Sequence, residues 1–306
     1  MTNPTGEQFT IERGDARAVI TQVAAGLREF SVGGVDLTEP FGVDQRPPFG
    51  DGIVLVPWPN RVKDGRWDLD GTPQQLDITE PSRGNALHGL LRYTGYERLA
   101  REPHAVALGA TVFPQHGYPF QLRTSVRYEL VDDGIQVTHL IENLSVAAAP
   151  VALGTHPFLC IGGVPTEDLT LTVHAATRFE VDARLNPIRE IPVEGSDYDL
   201  RAGRRVGSLS LDDAFGGVHT VDGASAVLRA PDGREVHLLQ DSNHPYVQVF
   251  TTRKFPKRGG RGMALAVEPM TAPPDALNSG LGLRWVEPGQ TWTVGWGIRY
   301  QRPEGA

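Results

Sequence analysis

Apolar and polar residues alternate over short stretches along almost the whole chain, and long stretches with the spacing of an amphipathic helix are nearly absent. In Ile135-Gln136-Val137-Thr138-His139-Leu140-Ile141 the apolar side chains fall largely on one face. That is the pattern of an antiparallel strand half covered by a second sheet. Segments rich in β-branched and aromatic residues recur at 18–23, 121–130, 134–141, 169–173, 234–239, 246–251 and 291–300. Val131-Asp132-Asp133-Gly134 reads as a hairpin turn, so 121–130 and 135–141 are expected to pair. Alternating βαβ units would need helical patterns that the chain lacks, which argues against a Rossmann-like sheet. The expected fold is all-β, a large antiparallel two-sheet β-sandwich with few short helices.

Glycine (35) and proline (24) make up about one residue in five and are spread over the full length, as turns between many short strands require. No linker or internal repeat interrupts the 306 residues. The polar segment 1–13 is read as an N-terminal extension and 14–302 as a single domain. Charged residues (22%) and hydrophobic ones (40%) are in the ordinary globular range. A formal net charge of -8 disfavours nonspecific binding to nucleic acid or an anionic membrane. The basic run around Arg253, Lys254, Lys257, Arg258 and Arg261 is interleaved with Gly and Pro and reads as a solvated loop over 254–262. One cysteine, Cys160, forms no intrachain disulfide and fits a reducing, cytoplasmic setting. The amino terminus lacks the pattern of a secretory signal, and no apolar run approaches the ~18 residues of a membrane span. A monomer and a homodimer fit the chain equally.

Two distant segments hold titratable side chains in apolar, proline-bounded surroundings: Gly154-Thr155-His156-Pro157-Phe158 and Ala266-Val267-Glu268-Pro269-Met270-Thr271. A histidine and a carboxylate brought into one pocket form an acid and a base. Taken alone, each is better explained by a structural role, since a lone His or Glu beside a strand usually satisfies a neighbour or faces water. Four further segments put polar groups in turn-rich places. Pro57-Trp58-Pro59-Asn60-Arg61 presents an amide beside a guanidinium fork, and small residues flank His88 in Asn85-Ala86-Leu87-His88-Gly89. Of the adjacent acids Asp212 and Asp213, only one can face a pocket, and Tyr246, Gln248 and Phe250 share one face of a strand. Nucleotide cradles, an HExxH helix and a GxSxG elbow are missing, and the nine histidines are scattered. The set that remains suits proton transfer on a polyhydroxylated substrate without a metal or organic cofactor.

In their order along the chain these segments resemble the aldose 1-epimerase (galactose mutarotase) family, from about residue 14 to 302. Asn60-Arg61 is similar to its Asn-Arg pair, Leu87-His88-Gly89 to its Leu-His-Gly motif, and His156-Pro157-Phe158 to its His-Pro-aromatic motif. Asp212 to Phe215, Gln248-Val249-Phe250-Thr251 and Glu268-Pro269-Met270-Thr271 follow its later motifs. Leu90, Phe158-Leu159 and Phe250 depart from common family residues and bear on pocket shape. The resemblance implies a β-sandwich that binds a free hexose such as galactose or glucose and interconverts its α and β anomers. It implies Glu268 as general base, His156 as general acid, His88 and Arg61 near the ring oxygen, Asp212 and Gln248 on other hydroxyls, and Asn60 in support.

Opening a cyclic hemiacetal removes a proton from the C1 hydroxyl while one arrives at the ring oxygen, which an acid and base flanking one small region can do. His156 must then carry a proton near neutral pH, which a carboxylate partner favours and burial opposes. Three other readings use the same residues. A sugar-phosphate epimerase would use the basic run, a glycoside hydrolase would pair Glu268 with Asp212 or Asp213, and a sensor domain would bind sugar without turnover.

Overall fold

The computed structural model describes residues 3–257 and 259–303. Among these, strands dominate and the one α-helix is the four-residue Ala276–Ser279. No helix is long and apolar enough to cross a membrane. A nine-stranded antiparallel sheet runs in the order Glu97–Glu102, Ala105–Val112, Leu122–Val131, Gly134–Asn143, Thr291–Gln301, Glu235–Gln240, Ala224–Arg229, Thr170–Val173 and Arg204–Arg205. Within it, the expected hairpin forms with ten residue pairs, from Leu122 opposite Asn143 to Val131 opposite Gly134.

An eight-stranded sheet carries Asp212–Gly216, Tyr246–Lys257 and Gly260–Met270 side by side, with Gly154–Thr155 and Phe158–Leu159 on the last of these and Val54–Leu55 on Gly154–Thr155. The two sheets share one core: Val126 and Tyr128 of the first belong to the same buried cluster as Val247, Val249, Leu265 and Val267 of the second. The period of two then decides what faces away. Gln248 and Phe250 alternate with Val247 and Val249, and Glu268 follows the buried Val267, so these three stand on the face opposite the shared core. The register puts Gln248 directly opposite Glu268.

Two expectations need correction. The segment 8–13, assigned to an extension, is the strand Gln8–Arg13, which pairs with Ala16–Thr21 in a four-stranded sheet. Phe9 and Ile11 alternate with polar residues and are fully buried, which ties the segment to the core. The basic run, exposed at Arg253, Lys254 and Arg261, is strand rather than loop. It is the far end of the Tyr246–Lys257 and Gly260–Met270 hairpin, with Lys257 opposite Gly260. Lys257 Nζ donates to Glu39 Oε1 at 2.6 Å and Thr166 Oγ1 at 2.8 Å, so its charge is used within the fold. Arg258 lies outside the described residues.

Candidate active site

Asn60, Arg61, His88, His156, Asp212, Gln248 and Glu268 all line one cavity of about 950 Å³. The chain brings Asn60 there in a left-handed turn (φ 53°), a conformation asparagine tolerates because its short side chain bonds locally. Its Oδ1 accepts the Arg61 backbone N–H at 2.9 Å. Arg61 is clamped in turn by Glu80, with Nε donating at 2.8 Å and an outer nitrogen at 3.1 Å. Such a two-point ion pair fixes the guanidinium plane, and both side chains are about nine-tenths buried. Burial alone would raise the Glu80 carboxyl, but hydrogen bonds and charge from Arg61, joined by Arg83, hold it below the usual carboxylate range. Sequence reasoning missed Glu80, which is one of 37 acids in a turn and joins the site only through chain reversal.

His88 also has a left-handed backbone (φ 64°), and its N–H donates to the Asn60 carbonyl at 2.8 Å, so the two turns hold each other. Gly89 follows at φ 69°, where a Cβ would lie 2.1 Å from the Val56 carbonyl oxygen. The glycine lets the His88 turn sit against the Val56-Pro57 backbone. The His88 ring meets the His156 ring edge-on at 5.4 Å.

His156 is fixed through its backbone to the neighbouring segment: its N–H donates to the Ile53 carbonyl (3.1 Å) and its carbonyl accepts from Gly52 (2.8 Å). Two residues on, Phe158 pairs with Ala266 of the Glu268 strand and stacks on the His156 ring at 5.4 Å. His156 Nε2 consequently lies 3.3 Å from Glu268 Oε1, with the two residues 4% and 2% exposed. On the other side, Gln248 Nε2 donates to Asp212 Oδ1 at 2.8 Å, and an Arg61 nitrogen is 3.7 Å from Asp212 Oδ2. Asp213 points away into an ion pair with Arg178, as expected of two adjacent strand residues.

The electrostatics reverse one expectation. Burial, with Arg61 adding to it, brings the His156 imidazole down to about 4. Burial and the Asp212 charge push the Glu268 carboxyl well above its usual range, against Arg61. Burial thus drives both groups toward their uncharged forms, a neutral imidazole beside a protonated carboxyl. Burial keeps His88 neutral as well, and the charges of Arg61 and Arg92 lower it further.

Glu268 Oε2, Gln248 Oε1 and His88 Nδ1 are buried at this cavity without a hydrogen-bond partner among the described residues. Buried polar atoms are normally paired, so three of them around one cavity match a ligand rich in hydroxyl groups. Phe49, Tyr93 and Phe250 add aromatic surface to the walls. Among the described residues, no group of three or more His, Cys, Asp or Glu is arranged to hold a metal ion.

A family model described as aldose 1-epimerase matches residues 7–299. A relative from Escherichia coli K12, described as uncharacterized protein YihR, is 30% identical over 299 residues, 97% of this chain and 94% of its own length. Among solved structures, the GalM/aldose epimerase homologue from C. elegans superposes with a TM-score of 0.84 at 17% identity, covering 97% of this chain and 99% of the other. The galactose 1-epimerase from Lactobacillus acidophilus NCFM gives 0.79 at 18% identity, with 96% and 94% covered. At such identities the structural likeness is one of fold.

Proposed function

The chain belongs to the aldose 1-epimerase family, and from that premise we propose that it interconverts the α and β anomers of a free aldohexose such as glucose or galactose. The observation that carries this reading is the 3.3 Å approach of His156 Nε2 to Glu268 Oε1 in a cavity whose lining residues His88, Gln248 and Glu268 carry buried polar atoms without a partner among the described residues. No cofactor is required by the steps that follow, and the reading includes a cytoplasmic location.

The pair holds one proton in two arrangements: neutral imidazole with carboxylic acid, or imidazolium with carboxylate. These differ only by a shift of the proton between the two groups. A sugar whose C1 hydroxyl donates to Glu268 while its ring oxygen accepts from His156 favours the second arrangement. In that state Glu268 takes the C1 hydroxyl proton, and the electron pair of the broken O–H bond becomes the second C1–O1 bond of the carbonyl. The bond from C1 to the ring oxygen breaks, and that oxygen takes its electron pair and the His156 proton. Rotation about C1–C2 presents the other carbonyl face. On reclosure the ring oxygen returns its proton to His156 and Glu268 protonates O1, so atoms and charges balance over the cycle.

Arg61, held flat by Glu80, and His88 stand beside the ring oxygen in this reading, and Asp212 and Gln248 take the remaining hydroxyls with Asn60 supporting the Arg61 turn. Polarimetry on freshly dissolved α-glucose and α-galactose tests the proposal. The wild-type chain should accelerate mutarotation, and Glu268→Gln and His156→Asn should each lose about 100- to 10,000-fold while keeping the fold. Retained mutarotation in both variants would sink the proposal.

A further inference from the structure

The cavity is larger than a single unsubstituted hexose requires. Its volume of about 950 Å³ is near the top of the ~300–1,000 Å³ range of pockets that enclose drug-sized ligands. The walls carry four arginines, Arg46, Arg61, Arg83 and Arg92. Arg61 and Arg83 are both committed to Glu80. The other two have no carboxylate partner among the described residues. Arg92 donates to the Thr79 carbonyl at 3.1 Å and lies 4.7 Å over the Tyr93 ring. Arg46 is exposed and makes no hydrogen bond or ion pair with a described residue. Acids outnumber Lys and Arg by 37 to 29 in this chain, so composition alone does not explain two uncommitted guanidinium groups at one cavity.

Their position relative to the proton pair gives them a direction. In a pyranose the ring oxygen joins C1 to C5, so the group that serves the ring oxygen also neighbours the C5 substituent. In the reading above that group is His156. Arg46 is four residues before Gly50, where an added Cβ would contact the His156 ring at 3.6 Å. Arg92 is four residues after His88, whose ring abuts His156. Both segments therefore reach the histidines, the first through Gly50 at His156 and the second through Arg92, whose charge acts on His88.

We propose that the preferred substrate is an aldose with an anionic group on its C5 substituent, bound at the cavity rim by Arg46 and Arg92. A planar guanidinium matches the oxygens of a phosphate or a carboxylate, and a site of this kind discriminates by charge as well as by shape. The inference rests on the ring-opening reading and goes beyond it in naming the substrate class.

Anomer exchange followed by saturation-transfer NMR, on the full chain at matched ionic strength, tests it with glucose, glucose 6-phosphate and glucuronate. The expected result is a kcat/KM about tenfold or more higher for at least one anionic sugar than for glucose. Preference for glucose 6-phosphate alone identifies a phosphate site, and preference for glucuronate alone a carboxylate site. In the double variant Arg46→Gln/Arg92→Gln, checked for folding by circular dichroism, the preference should fall toward one. Arg46→Gln alone, on an exposed side chain, should reduce it part of the way. Turnover of glucose with no anionic preference, or a preference that survives in the folded double variant, overturns this inference and leaves the epimerase reading standing. No turnover of any of the three overturns both.

Discussion

Glu268 Oε1 lies 3.3 Å from His156 Nε2, and burial drives the two groups in opposite directions, the carboxyl well up and the imidazole down to about 4. The catalytic form needs one proton on the pair, in either arrangement. Acidification through about 4 adds a second proton and removes the base. Alkalinisation through the raised Glu268 value removes the only proton and with it the acid. Mutarotation should be bell-shaped in pH, with an acid limb near 4 that belongs to the pair as a unit. Measuring kcat/KM from about pH 3 to 10 checks this, and a rate that rises through about pH 6 to 7 as a free histidine titrates would contradict it.

Arg61 contributes geometry as much as charge. Its two hydrogen bonds to Glu80, at 2.8 and 3.1 Å, use the guanidinium fork, which a lysine ammonium lacks. Arg61→Lys is therefore expected to lower kcat/KM by about 10- to 100-fold, the scale of one or two charged hydrogen bonds. Steady-state polarimetry gives the number. A variant within about twofold of wild type would mean that positive charge alone suffices at this position.

The strands and the proton pair were legible in the sequence for a local reason. Period-two alternation is plain in Leu122–Val131 and Gly134–Asn143, and His156 and Glu268 are apolar-flanked and proline-bounded. Gln248 and Asp212 were readable because a strand sends alternate residues to one face, which also turns Asp213 to Arg178. Glu80 was not legible, since its pairing with Arg61 spans a chain reversal that no spacing encodes. Nor was the protonation of His156, which depends on the summed burial contributed by several segments. The Gly259-Gly260 turn made a hairpin tip look like a basic loop, and the short alternation of Phe9 and Ile11 was hidden among polar neighbours.

Gly89 tests how far the His88 turn depends on a close backbone approach. At φ 69° an added Cβ would stand 2.1 Å from the Val56 carbonyl oxygen and 3.0 Å from the Pro57 nitrogen, so backbone must move. Left-handed strain alone costs about 1–2 kcal/mol for a residue with a Cβ. Gly89→Ala should lower Tm by several degrees and displace His88, with a fall in kcat/KM larger than the stability loss explains at about 25 °C. Thermal melting and polarimetry on the same preparation separate the two effects, and a variant with wild-type Tm would contradict the clash.

Asp51 supports the His156-Pro157-Phe158 segment. It is 1% exposed, its Oδ1 accepts the Phe158 N–H at 3.2 Å, and Oδ2 has no partner among the described residues. Burial pushes its carboxyl well above the usual range, with the Phe158 hydrogen bond opposing and the Glu39 charge assisting. A raised folded value means that the native state keeps a proton which the unfolded chain releases above ~4. Stability from this group is therefore full below that pH and is lost as pH rises toward the folded value. An asparagine side chain cannot ionise in either state and can still accept the Phe158 N–H through its carbonyl oxygen. Asp51→Asn should therefore match wild type near pH ~4 and exceed it increasingly at higher pH. Each kcal/mol gained should raise Tm by about 2–4 °C or less in a chain of this size. Asp51→Ala, which strands the Phe158 N–H, should lose both stability and mutarotation, whereas Asp51→Asn keeps most of its turnover. Paired melts at about pH 4, 6 and 8 read the effect directly, and a Tm difference independent of pH would show that Asp51 is ionised in the fold.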